Sequence, residues 1–130
     1  PVYTAETIAS LDIICRGNFV YGVGLGYRDV EFDAFGVRKG ERDKKFESYL
    51  DLVQRRWTED SDSYDSPESK LDHVHMNSRP VQRPRPPIWI SANNVPASRR
   101  AARLGDSWFI NPLAAFDTIR RQMDVYNAEL

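Results

Sequence analysis

Short apolar runs alternate with helix-like segments along this chain, and that order restricts its possible folds more than any other feature. Residues 19–24, 88–91 (IWIS) and 107–110 (SWFI) read as short strands. Helical periodicity marks residues 4–15, 43–57, 96–104 and 113–130. In 43–57, Phe46, Tyr49, Leu50, Val53 and Trp57 form one apolar stripe. Phe116, Ile119, Met123, Tyr126 and Leu130 form another along the last helix. The order helix, strand, helix, strand, helix, strand, helix specifies an α/β fold with a parallel sheet and crossover helices. IWIS is apolar and uninterrupted, as expected of a parallel strand buried on both faces. Trp57, Trp89 and Trp108 are all expected in the core, with Trp108 the best placed of them to line a pocket.

The remaining segments are connections. Thr4 is expected to cap the first helix, over a face of Ala5, Ile8, Ala9 and Leu11, and Gly17 to end it in a left-handed conformation. Residues 29–35 have room for a helical turn or two, 59–67 are polar and turn-rich, and 70–77 alternate like a short strand. Pro80, Pro84, Pro86 and Pro87 keep residues 79–87 extended. Pro96 suits the first turn of its helix, which Gly105 and the turn residue Asp106 end.

A chain of 130 residues has room for one domain core, and a formal charge of −1 gives no basic surface of the kind that binds nucleic acid. No apolar run approaches the ~20 residues of a membrane span, and no signal-peptide pattern opens the sequence. Cys15 is the single cysteine, which rules out an internal disulfide framework and fits a reducing, cytoplasmic compartment. Its helical setting gives the expectation of a buried, inert thiol. Pro1 at the start and a stop at Leu130 inside a helix give the expectation of a chain cut from something longer. His73 and His75 lack a third ligand nearby, so surface histidines are expected there and no metal site.

Three glycines at alternate positions, Gly22, Gly24 and Gly26, interrupt the first strand and its exit. Glycine inside a strand weakens it and marks close approach of a ligand or another backbone. A dinucleotide fingerprint needs a third glycine where Tyr27 stands, which disfavours an open nucleotide-binding sheet. No Gly-Lys-Ser/Thr follows, so a P-loop is excluded.

The runs LDIICRGNFVYGVGLGYRDVEFDAFGV, RPPIWISANN and SRRAARLGDSWF resemble, in order and spacing, blocks of the bacterial luciferase-like monooxygenases. The resemblance covers nearly the whole chain. It departs at Asn18, where that family often carries Arg, and at Asn93-Asn94, where glycine or serine is common. It implies a TIM barrel that uses flavin or deazaflavin. A complete barrel has eight strand–helix units in about 250 residues. Residues 1–130 then form a single partial (β/α)8 domain of about three units, by analogy the fourth to sixth strands. Bare sheet edges and uncovered apolar surface follow, and with them a homo-oligomer or completion by missing barrel segments.

In that fold the ligand sits at the C-terminal ends of the strands. Gly24, Leu25, Gly26 and Tyr27 are the loop leaving the first strand, where missing side chains let a flat ring approach and Tyr27 can wall it. The blander reading has Gly22 and Gly24 relieving crowding in a barrel interior and Gly26 making a turn. By the same resemblance Ser91, Ala92, Asn93, Asn94 and Ser98 hold a flavin phosphate at a helix start. Ordinary capping by Asn94 is the alternative. Arg99, Arg100 and Arg103 read as a solvated face. The implied cofactor is FMN, with an F420-type deazaflavin as the alternative. The implied function is a luciferase-like flavin-dependent oxidoreductase or monooxygenase acting on a small organic substrate, in which the cofactor carries the difficult chemistry. No catalytic acid or base stands out. The rival is a non-catalytic barrel remnant that self-associates as a structural or interaction protein.

Overall fold

The computed structural model describes residues 1–60, 63–67 and 69–130. They fall into two compact units, Pro1–Phe19 with Leu25–Pro86, and Val20–Gly24 with Pro87–Leu130.

In the first unit, helix α1 (Val2–Ile14) packs on helix α3 (Arg42–Thr58), with the short helix α2 (Asp29–Ala34) and a 3-10 turn (Lys39–Glu41) between them in sequence. Ala5, Ile8 and Ala9 of α1 are buried, as are Leu50, Leu52, Val53 and Trp57 of α3. The Trp57 indole Nε1 donates to the Ala5 carbonyl at 3.0 Å, so the largest buried ring also satisfies its one polar atom. Phe46 and Tyr49, expected on the same stripe, are half-buried.

Three expectations for α1 are corrected. The helix starts at Val2 with Pro1 as N-cap and no side-chain capping bond, so Thr4 lies inside it. Its buried stripe is completed by Asp12, fully buried, while Leu11 is 37% exposed. Cys15, at the helix end, is exposed. Asp12 is buried because its carboxylate is fully used. Oδ2 accepts the Val81 and Gln82 backbone N–H groups at 2.6 and 2.9 Å, and Oδ1 accepts Gln82 Nε2 at 2.7 Å. Gln82 Nε2 also donates to the Phe19 carbonyl at 2.8 Å. A buried charge needs such partners, and Leu11 has no claim on the position once they are present. Gly17 has φ +76° and donates its N–H to the Asp12 carbonyl, which is the left-handed helix end expected of it.

Strand β2 (Tyr64–Ser66) pairs antiparallel with β3 (Ser69–Leu71). The first lies in the stretch read as polar turn, and the second is shorter than the strand expected over 70–77. Ser66 Oγ accepts the Ser69 N–H at 3.1 Å, so polar side chains, not apolar alternation, close this hairpin. Arg56 is buried and donates to the Val74 carbonyl.

In the second unit, β1 (Tyr21–Val23), β4 (Ile88–Ala92) and β5 (Ser107–Ile110) form a parallel sheet in the order β1-β4-β5. Helices α4 (Val95–Leu104) and α5 (Phe116–Glu129) pack together, and α4 packs on β4 and β5. The strand alternation is clean: Ile88, Ile90 and Ala92 are buried, while Trp89 and Ser91 are exposed. IWIS is therefore covered on one face of this unit, not both. Each buried isoleucine contributes roughly 1.5–3 kcal/mol.

The same alternation corrects the tryptophans. Trp108 pairs with Ile90 and is buried, its Nε1 donating to the Ala92 carbonyl at 3.0 Å and its ring 5.9 Å from that of Tyr126. Trp89, one residue out of phase with Ile88 and Ile90, is 40% exposed. Tyr126 on Trp108 sets the rotation of α5: Gln122 is buried beside half-buried Ile119, Val125 and Tyr126, whereas Phe116, Met123 and Leu130 are exposed. On α4, Arg99 and Arg103 lie near Glu129 on the surface, but Arg100 is buried. Asp106 does more than turn the chain. Its N–H donates to the Ile88 carbonyl at 2.8 Å and its Oδ2 accepts the Ile88 N–H at 2.7 Å. A β-carbon at Gly105 would lie 2.9 Å from Ile90 Cγ1, so α4 can approach the sheet here only over glycine. Among the described residues no helix is long and apolar enough to cross a membrane.

Candidate functional site

Parallel pairing brings the ends of all three strands of the second unit to one side: Val23, Ala92 and Ile110, continued by Gly24, Asn93-Asn94 and Asn111. On the face away from the helices the register makes two rows. Gly22, Trp89 and Ser107 form the inner row. Ser91 and Phe109 form the outer row, extended by Gly24 at the strand ends. A β-carbon at Gly24 would stand 3.3 Å from that of Ser91, closer than side chains normally pack. Glycine there keeps a shallow cradle open. Phe109, 51% exposed, tilts against Trp89 with ring centroids 6.4 Å apart. Gly22 has nothing within 4 Å of a would-be β-carbon, so the crowding that the sequence suggested for it does not come from this unit.

The turn from β4 into α4 forms the second part. Asn94 is extended and its side chain accepts the Ala97 N–H at 2.9 Å, so it caps the helix. Its Nδ2 lies 3.5 Å from Asn93 Oδ1, and both asparagines are exposed. The first turn of α4 carries no acidic residue, but Pro96 has no N–H to offer there and the Ala97 N–H is taken by the Asn94 cap. Ser91 is exposed. Ala92 and Ser98 are turned inward: Ala92 is 2% exposed, and fully buried Ser98 donates its hydroxyl to the Asn94 carbonyl at 3.0 Å.

The rest of the expected ring loop belongs to the first unit. Leu25 is half-buried. Gly26 has φ +74°, a conformation that side chains resist, and its carbonyl accepts Arg42 Nη1 at 3.4 Å. Tyr27 is 72% exposed, with the Arg28 guanidinium 5.7 Å from its ring centroid. This unit also holds a cavity of about 290 Å³ lined by Asp51, Arg55, Arg56, Glu59 and Tyr64. Its polar atoms serve one another: Arg55 Nε donates to Asp51 at 2.9 Å, and Tyr64 Oη lies 3.3 Å from the same carboxylate oxygen. His73 and His75 follow β3 and are exposed.

Gly24 leaves a strip without side chains at the end of β1, and the side-chain amides of Asn93 and Asn94 are exposed at the start of α4. Sequence reading missed Phe109 and Trp89 as members of the open face. A strand with Ile88 and Ile90 on one side must put Trp89 on the other, but a uniformly apolar strand does not reveal which side is left open.

The sequence profile of the luciferase-like monooxygenase family matches residues 1–130. An uncharacterised protein of Sinorhizobium fredii, y4vJ, is 30% identical over 117 residues, which cover 87% of this chain and 33% of that protein. Monooxygenase RslO1 from Streptomyces bottropensis superposes with a TM-score of 0.88 at 24% identity, over 99% of this chain and 40% of its own. An F420-dependent secondary alcohol dehydrogenase, solved with an F420–acetone adduct, superposes with a TM-score of 0.87 at 19% identity, over 99% of this chain and 39% of its own. The chain thus spans between a third and two-fifths of the length of these proteins. Its parallel sheet corresponds to a portion of their barrel.

Proposed function

We propose, from the premise that this chain belongs to the luciferase-like monooxygenase family, that it forms the central, cofactor-facing part of a flavin- or deazaflavin-dependent oxidoreductase acting on a small organic substrate. The observation that carries this reading is the meeting, at one end of one parallel sheet, of a strand end without a side chain (Gly24) and a helix start with two exposed side-chain amides and no acidic residue in its first turn (Asn93-Asn94, α4). Ligands of barrel enzymes sit at that end.

In this reading Gly24 gives the ring its approach, and Ser91, Asn93 and Asn94 supply donors to the phosphate end. Gly26 and Tyr27, named with them by the family resemblance, belong to the exit loop in the first unit. Ala92 and Ser98 act indirectly: Ala92 holds Trp108 through its carbonyl, and Ser98 braces the Asn94 backbone. Reduced FMN, when bound, would supply the electrons for dioxygen activation and oxygen insertion, whereas a reduced F420-type deazaflavin would supply hydride. The protein's own part is to bind, orient and exclude water. The proposal includes completion of the barrel by further strands, from a longer chain or from a second copy. The outer edges of β1 and β5, which pair with no further strand among the described residues, and the exposed Trp89 and Phe109 support it.

Titration of the purified chain with FMN and, in parallel, with F420, followed by cofactor fluorescence, tests the reading. Saturable binding of one of them, weakened at least tenfold in Gly24→Leu, is expected. Absence of binding to both contradicts it and leaves the self-associating barrel remnant.

A further inference from the structure

The last helix carries a pattern that the sheet does not use up. Phe116, Ile119, Met123, Tyr126 and Leu130 follow one another at alternating spacings of three and four, the repeat of a seam between two packed helices. α5 and its C-cap Leu130 divide that seam in two. Ile119 and Tyr126 are half-buried against their own unit, with Tyr126 on Trp108. Phe116, Met123 and Leu130 recur every seventh residue and are 72%, 37% and 77% exposed. They make an open apolar stripe along the helix.

The stripe is symmetric about Met123. A second α5 laid antiparallel along it, with the two-fold axis at Met123, sets Met123 against its own copy and Phe116 of each chain against Leu130 of the other. The same operation matches charges. Arg120 and Asp124 are one helical turn apart, so they border the stripe on the same flank, and both are exposed. The two-fold brings Arg120 of each chain near Asp124 of the other, offset along the axis by two positions, or about 3 Å, within reach of an arginine side chain. Among the described residues neither of them enters an ion pair. Arg120 keeps its guanidinium over the Phe116 ring, 5.4 Å from the centroid, so its charge already stands at the border of the stripe. A parallel copy would set Arg120 level with Arg120 and Asp124 level with Asp124, like against like.

We propose that the open stripe of α5 is a self-association surface, occupied by α5 of a second copy of this chain in an antiparallel, two-fold pair. This pairing is independent of the cofactor reading and of strand pairing at the sheet edges. The contact is one helix long, smaller than a permanent interface, so a reversible dimer is its expected form.

Sedimentation velocity of the intact chain over a concentration series tests the pairing, and a monomer–dimer equilibrium is expected. Met123→Lys crowds two added cations between the Arg120 pair at the axis and should weaken the dimer about tenfold or more. Arg120→Glu and Asp124→Arg should each weaken it about three- to tenfold, and the double variant, which restores opposite charges, should recover most of the loss. All three positions are exposed, and circular dichroism with urea unfolding checks that the variants fold. Met123→Cys in a Cys15→Ser background should form an interchain disulfide on mild oxidation, because position 123 lies on the axis. A monomer at every concentration overturns the proposal. A dimer of unchanged strength in Met123→Lys also overturns it and assigns association to the sheet. Charge variants without mutual rescue overturn the antiparallel arrangement.

Discussion

The two faces of the β1-β4-β5 sheet both carry large apolar side chains, and these have opposite fates. The face toward α4 is a finished core: Ile88, Ile90, Ala92 and Trp108 are buried, Gly105 admits the helix, and Asp106 ties the start of β4. The other face carries Trp89 and Phe109 at 40% and 51% exposure, flanked by Gly22 and Gly24. In a closed barrel that face is interior. The difference separates residues chosen for the stability of this unit from residues chosen for what meets its open side.

Substitutions on the two faces should therefore differ in size. Ile90→Ala is expected to cost about 3 kcal/mol in urea unfolding, and Trp89→Ala, despite the larger side chain, about 1 kcal/mol or less. Equal losses would mean that the open face is covered in solution. Gly105→Ala forces a β-carbon against Ile90 and should cost about 2 kcal/mol, read as a lower unfolding midpoint.

A pH effect should also belong to the core face. Burial pushes the Tyr21 hydroxyl pKa above its ordinary value. Its stabilising contribution is then complete below the unfolded value of about 10 and declines as pH rises through the folded value, because the unfolded chain ionises first. Tyr21→Phe should flatten the alkaline loss of stability and leave neutral pH unaffected by ionisation. The smallest expected effect is at Gly22→Ala, where space is open: a gain of about 0.5 kcal/mol through reduced freedom of the unfolded chain. A loss there instead would show that something packs against Gly22.

These contrasts also mark what the sequence could reveal. The order of strands and helices, the strand at Ser107–Ile110, the Asn94 cap and the left-handed Gly17 follow from local pattern and were readable. The open face was not, because IWIS shows no polar alternation: a strand destined for cover on both sides reads as apolar throughout. Asp12 was hidden for another reason. Its partners Val81 and Gln82 lie some 70 positions away, and no local periodicity predicts a buried carboxylate in an apolar stripe. Strand β2, whose hairpin with β3 is closed by Ser66 and Ser69, carries composition that reads as turn. For the site, the glycines and asparagines announced themselves by motif, while Phe109 became visible only when the register placed it beside Ser91.

The central claim is that the strand ends of this sheet hold a flavin-class cofactor. Amide chemical-shift mapping of the isotope-labelled chain during FMN and F420 titration tests it most directly. The account predicts saturable shifts concentrated at Gly24, Ser91, Asn93, Asn94 and Phe109. Shifts centred on the Asp51–Tyr64 cavity, or none at the strand ends under saturating cofactor, would contradict it.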